Sequence, residues 1–303
     1  MPASLLTVLL YVTVALCWGG SWTAGKLAVA SVPPIELGTM RFALAGLIML
    51  AIARATGASL GLARWKLLLV ASIFGIFGYN ALVFVGLTLA PASDGALIVP
   101  TLNPVLTVFF ATFLGERLTR NKLAGVACAT VGATVVIASA QTGAALSSQR
   151  LVGDLLMLGG AACWSVYATL GTITTRSGSP LGVTAVASLA GAAMLFPFGF
   201  LEHGYQDVPS WPQSAWLDVA YLAVFATIVG FVLFYYAVRR FGAGLASMVS
   251  YLVPVVALVL AVFLLNERPT APEIVGGAII LLGVRLVTWR VVPLTPLEDA
   301  ASA

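Results

Sequence analysis

The stretches ALCWGGSWTAG at residues 15–25 and AACWSVYATLG at residues 161–171 decide the architecture of this chain. Each sets a Cys-Trp dipeptide, Cys17-Trp18 and Cys163-Trp164, near the middle of a long apolar run. Tryptophan in membrane segments ordinarily gathers at the two water interfaces. An indole at the bilayer centre instead needs a partner for its N–H, so both rings are expected to face a protein interior or a cavity.

The runs around them are membrane spans. Hydrophobic residues make up 60% of the 303 and charged residues 9%, against about 25% charged in soluble domains. Ten stretches are long enough to cross roughly 30 Å of hydrocarbon: Leu5–Val29, Ile35–Ala53, Leu67–Leu89, Gly95–Leu114, Leu123–Ala140, Leu151–Thr172, Leu181–Leu201, Trp216–Val238, Ala243–Leu265 and Ile274–Val292. Lipid cannot satisfy exposed backbone groups, so each is read as a helix. The first lacks a basic leader and is too long for a cleavable signal, so it is expected to remain. The chain is thus expected to be an all-α integral membrane protein.

The net charge of +4 is a topology signal and not a nucleic-acid footprint. With the N-terminus inside, Arg54, Arg64, Lys66, Arg117, Arg120, Lys122, Arg176, Arg239, Arg240 and Arg290 fall on the cytoplasmic side. Lys26, Arg150 and Arg268 fall outside, so both termini are expected in the cytoplasm of a cell's inner membrane. Cys17, Cys128 and Cys163 are odd in number and lie within apolar runs, so no disulfide framework is implied. His203 has no Cys or His neighbour, and no metal or cofactor is expected. The phosphate-loop imitation from Gly20 to Lys26 is followed by Leu27 and has no preceding strand, which argues against a nucleotide site.

The second half of the chain echoes the first. Pro34 matches Pro180, Ala45-Gly46 matches Ala190-Gly191, Trp65 matches Trp216, Pro104 matches Pro254, Glu116-Arg117 matches Glu267-Arg268, and Gly125 and Gly132 match Gly276 and Gly283. Residues 1–143 and 144–293 are therefore read as two five-helix repeats, followed by a cytoplasmic tail at 294–303. Five crossings is an odd number, so the repeats sit inverted in the membrane. That is the design on which secondary transporters base alternating access.

With these marks the chain resembles the ten-helix EamA-type members of the drug/metabolite transporter superfamily and, within it, the YddG-like aromatic amino acid exporters. The resemblance rests on Cys17-Trp18-Gly19, Cys163-Trp164-Ser165, Pro104, Pro254, Gly115-Glu116-Arg117 and Asn266-Glu267-Arg268, and covers nearly the whole chain. It implies export of amino acids, aromatic ones included, and related small metabolites from the cytoplasm. A sugar-phosphate or nucleotide-sugar antiporter, or a drug or cation exporter, of the same superfamily is the alternative.

Helical spacing puts Trp18, Ser21, Trp22 and Gly25 on one stripe, and Trp164, Tyr167, Ala168 and Gly171 on its counterpart. Tyr79 and Asn80 lie near the centre of the third span, where an unpaired amide is costly. Pro104 and Pro254 are expected to kink their helices and free the carbonyls of Pro100 and Ser250. Thr101 and Asn103 flank the first kink, and Ser250 and Tyr251 the second. Trp18, Ser21, Trp22, Tyr79, Asn80, Thr101, Asn103, Trp164, Tyr167, Ser250 and Tyr251 are the candidate substrate contacts. Arg41, about 9 Å into the second span at 1.5 Å per residue, is open to a substrate carboxylate or to an outer-mouth ion pair with Asp94. Lys26 is expected to snorkel to the outer interface. No acid or histidine falls at a span midpoint, so transport is expected to run downhill with weak coupling to protons. The expected partners are a small-molecule substrate and the lipid bilayer, with monomer or homodimer left open; no catalytic set points to an enzyme.

Overall fold

Hydrocarbon leaves the backbone only itself to bond to, and the chain answers with helices almost throughout. The computed structural model describes residues 3–112, 120–139, 148–175, 177–202, 205–234 and 249–288. Among the described residues ten long helices follow one another: α1 (Ala3–Val29), α2 (Pro34–Ala55), α3 (Leu62–Leu89), α4 (Ala92–Thr112), α5 (Arg120–Ser139), α6 (Ser148–Thr174), α7 (Pro180–Gly199), α8 (Gln213–Phe234), α9 (Val249–Leu265) and α10 (Ala271–Thr288). Every predicted span has its helix. Among the described residues, α2, α3, α6, α7 and α8 are each long and apolar enough to cross a membrane, so both halves of the chain are membrane-embedded. Glu116, Arg117, His203, Tyr235, Tyr236 and Trp289 lie outside the described residues.

Helix starts follow from local chemistry. Pro34 and Pro180, repeat mates, open α2 and α7 at the position where a missing N–H costs nothing. Ser179 caps α7 by accepting the Gly182 N–H at 3.0 Å. Thr270-Ala271-Pro272-Glu273 forms a capping box ahead of α10, Glu273 reaching back to the Thr270 N–H at 2.6 Å.

Other caps come from the opposite repeat and tie the halves together. Glu202, after α7, accepts from the N–H groups of Ile35 and Glu36 at 3.0 and 3.2 Å. At the other end of the same helix pair, the Ser59 carbonyl accepts both the N–H and the hydroxyl of Ser179, at 2.9 and 3.0 Å. Glu267, after α9, accepts from Ala92 and Ser93 at 2.8 and 2.9 Å and so caps α4. Lys26 does not snorkel outward. Its ammonium donates to the Leu87 and Ala90 carbonyls at 2.6 and 2.7 Å, because the end of α3 offers a negative dipole and unpaired acceptors. These contacts define two ends of the bundle. The one holding Lys26, Asp94, Glu202 and Glu267 is called the upper end.

Interhelix packing relies on small residues where backbones approach. In α5 and α10 the repeat mates form crossed pairs. A β-carbon added at Gly132 would stand 2.6 Å from the Gly276 carbonyl oxygen, and one at Gly283 would stand 2.7 Å from that of Gly125. No rotamer change relieves a clash with backbone. Gly132→Val is therefore expected to destabilise the protein by about 1–3 kcal/mol, as overpacked cores do, read as a lower Tm of detergent-solubilised protein; an unchanged Tm would refute this account of the α5–α10 contact.

Candidate functional site

Helices α3 and α8 are not uniform. Their middles, Ile73–Gly78 and Leu222–Val229, are π-helical, a wider winding often found at functional sites. The two stretches occupy matching places in the two repeats, since Trp65 and Trp216 head the same crossing in each half. Carbonyls in these stretches take side-chain donors: Ala226 from the Trp18 indole N–H at 3.0 Å, Leu222 from the Thr227 hydroxyl at 2.9 Å, and Ile76 from the Asn80 amide at 2.8 Å.

Each central tryptophan helix packs onto the π-helical stretch of the other repeat. Gly230 leaves room for Trp18, whose Nε1 would lie 2.5 Å from an added β-carbon. In the mirror position, Gly75 leaves room for Tyr167 and Gly78 for Cys163. The aromatic rings then meet. Trp18 and Trp164 stand edge-to-face with centroids 6.5 Å apart, and Phe231 lies 5.9 Å from the first and stacks on the second at 5.4 Å. Tyr79 and Tyr167 flank Trp164 at 5.1 and 5.4 Å, while Phe234 sits 5.1 Å from Trp18.

Beside this aromatic cluster is a narrow cleft lined by Ser21, Trp22, Arg41, Tyr79, Asn80, Val83, Phe84 and Leu87. Arg41 is the unexpected member. The predicted outer-mouth pair with Asp94 does not form, because Asp94 is held by two hydrogen bonds from Arg150, at 2.7 and 2.9 Å, which fork onto its carboxylate from the first turn of α6. Arg41 is instead buried at 8% exposure. Its Nε donates to the Thr227 hydroxyl at 3.1 Å and one Nη donates, at a long 3.5 Å, to the Asn80 side-chain oxygen. The guanidinium also lies 4.7 Å from the Phe42 ring centroid and 5.8 Å from that of Phe84. Among the described residues no carboxylate pairs with it.

The remaining candidates divide. Ser21 lies on the cleft, but its hydroxyl donates to the Trp18 carbonyl at 2.6 Å. Thr101 is fully buried with its hydroxyl bonded to the Leu97 carbonyl one turn back. It is occupied within α4, where a mid-membrane hydroxyl finds its nearest acceptor. Asn103 lies against α6, its carbonyl accepting the Ser165 hydroxyl at 3.1 Å, and its side-chain oxygen is buried without a donor among the described residues. Helix α4 continues through Pro104 and α9 through Pro254. The side chains of Pro104, Ser250 and Tyr251 are outside the described set. Phe231, Phe234, Thr227 and Phe84 escaped the sequence reading. For Phe231 a signal existed: it is the repeat mate of Asn80.

The site yields a test of its own frame. Trp18→Phe keeps a ring in the cluster but strands the Ala226 carbonyl, so stability is expected to fall by about 1–3 kcal/mol, the cost of a buried unpaired acceptor. Urea or thermal unfolding in detergent reads this directly, and equal stability would mean that the carbonyl finds another donor.

The EamA-like transporter family matches residues 5–138 and again 151–289, one copy per half. The chain is 29% identical to the uncharacterised transporter YyaM of Bacillus subtilis, over 88% of each chain. It is 30% identical to the aromatic amino acid exporter YddG of Ancylobacter novellus, over 88% of this chain and 93% of that one. A solved crystal structure, 27% identical, superposes with a TM-score of 0.64 over 93% of this chain and 96% of the other. The two named relatives are transporters, not enzymes. With ten helices in two inverted halves and the family's domain present twice, the chain belongs to the EamA-like transporter family.

Proposed function

We propose that this protein exports amino acids, aromatic ones included, from the cytoplasm by alternating access around the cleft between its inverted halves. The observation that carries the reading is Arg41, a buried guanidinium on the wall of an aromatic cleft with no carboxylate partner among the described residues. A cation held in low dielectric is costly without an anion beside it. A substrate carboxylate supplies that anion while Trp18, Trp22, Trp164 and Tyr79 receive its side chain. Aromatic faces accept varied apolar groups, so broad specificity follows. The likeness to an aromatic amino acid exporter supports the same reading.

The geometry weighs against the alternatives. One guanidinium suits a single carboxylate better than the dianion of a sugar phosphate, and it repels a cationic drug. The upper end is taken as the outside and both termini as cytoplasmic, following the basic-residue bias. Inverted repeats let each half adopt the other's conformation, so the same contacts can close either end in turn.

Two measurements test this in proteoliposomes. Saturable uptake of radiolabelled tryptophan or phenylalanine is expected for wild type and lost in the Trp18→Ala, Trp164→Ala double variant. Arg41→Gln is expected to raise the half-saturating concentration about tenfold to a hundredfold, the equivalent of losing charge-assisted hydrogen bonds. Tryptamine, which lacks the carboxylate, should compete poorly with tryptophan in wild type. Equal competition by the amine, or an unaltered Arg41→Gln, would rule out the carboxylate anchor.

A further inference from the structure

The upper end contains a second buried group of charges, separate from the aromatic cleft. Three helix N-termini meet there, and each brings charge from its first turns: Asp94 from α4, Arg150 and Asp154 from α6, and Glu273 from α10. Asp94 and Asp154 are fully buried and Glu273 is 2% exposed, whereas the Arg150 side chain keeps 23% of its surface open. Arg150 binds Asp94 through two nitrogens and also binds Glu273. One guanidinium thus already serves two carboxylates.

Asp154 is the third carboxyl; the Arg150 charge acts on it, but no hydrogen bond reaches it among the described residues. Both of its oxygens are buried without a hydrogen-bond donor among the described residues. It faces the same Arg150 guanidinium as Asp94, the charges of the two carboxyls act on each other, and two adjacent carboxylates cannot both accept. A proton on one of them turns the repulsion into an O–H···O⁻ bond. Among the described residues no donor reaches Asp154. Glu273 faces the pair from α10 with the same sign of charge. Lys26 of α1 acts on Glu267 and, more weakly, on Asp94, while its ammonium is bonded to the Leu87 and Ala90 carbonyls. From α3 come the uncharged Gly86 and Ala90, which pack against Gly153.

We infer that Asp154 and Asp94 form a proton-binding site, and that the bound proton holds the upper ends of α4, α6 and α10 together. With the proton present, Asp154 donates to Asp94 and the ends stay closed. Without it, two buried carboxylates repel and the upper end opens. Arg150, partly exposed, marks the side from which water and protons arrive. The expectation of weak proton coupling rested on acids lying away from span midpoints; burial among helix ends lets an acid retain a proton without central depth. Taking the upper end as outside rests on the proposal above, but the proton site itself does not.

The test is designed to separate the two. Infrared titration of purified protein in detergent is expected to show a protonated carboxylic acid band at neutral pH, absent from Asp154→Asn and shifted but present in Asp154→Glu. In proteoliposomes at equal pH on both sides, counterflow of whichever solute the protein carries should follow one ionisation in wild type and in Asp154→Glu, and lose that dependence in Asp154→Asn. A neutral-pH spectrum without the band, a band that persists in Asp154→Asn, or wild-type pH dependence in that variant would overturn the site. Should Asp154→Asn fail to insert, the wild-type band and its shift in Asp154→Glu decide. The infrared result holds even if amino acids prove not to be the cargo.

Discussion

Every part of this structure depends on the inability of hydrocarbon to form hydrogen bonds. It forces the chain into helices, and it also dictates what happens where the helices deviate. The π-helical middles of α3 and α8 present carbonyls that accept from Trp18, Thr227 and Asn80. Two of these donors also contact Arg41 or the cleft directly. The site is thus assembled from the repairs that irregular backbone requires inside a membrane.

Duplication makes those repairs occur in pairs. Trp18 packs against Ala226 and Gly230, and Cys163 and Tyr167 pack against Gly78 and Gly75. Glycine pairs between α5 and α10 repeat the same crossing twice. The helix caps follow the same logic at opposite ends of the α2–α7 pair, with Glu202 above and the Ser59 carbonyl below. Paired repairs of this kind are what an inverted duplication produces, the arrangement on which secondary transporters base alternating access.

The symmetry breaks at the charges, and the chemistry follows the break. Arg41 lies on one repeat, and its α7 counterpart region from Thr184 to Ser188 supplies buried hydroxyls and no cation. A single fixed positive charge gives the cleft polarity, so a zwitterion would bind in one orientation. The upper end concentrates Asp94, Asp154, Glu273 and Arg150, with acids outnumbering the shared guanidinium. An excess of buried carboxylates is a place where protonation state and helix packing cannot vary independently.

Much of the architecture was legible in the chain itself. Hydropathy marks ten spans, and an odd number of crossings per repeat settles inversion by counting alone. Trp18 and Trp164 stand out because their depth conflicts with the usual belt of aromatic residues at the interfaces. Ring and charge partners were not legible, because they depend on how helices distant in sequence rotate against one another. Arg41 could be placed in depth from α2, but only packing turned it toward Thr227 and Asn80 and gave Asp94 to Arg150. The acceptors of Lys26 and Thr101 were hidden for the same reason, since the nearest acceptor of a long or polar side chain is a carbonyl that only the fold brings near. Sequence by itself determined a duplicated, inverted, membrane-spanning bundle with aromatics at its centre, because hydropathy and repeat spacing are properties of the chain. Which charges meet was decided by tertiary structure alone, because a buried ion takes the partner that close packing leaves within a few ångströms.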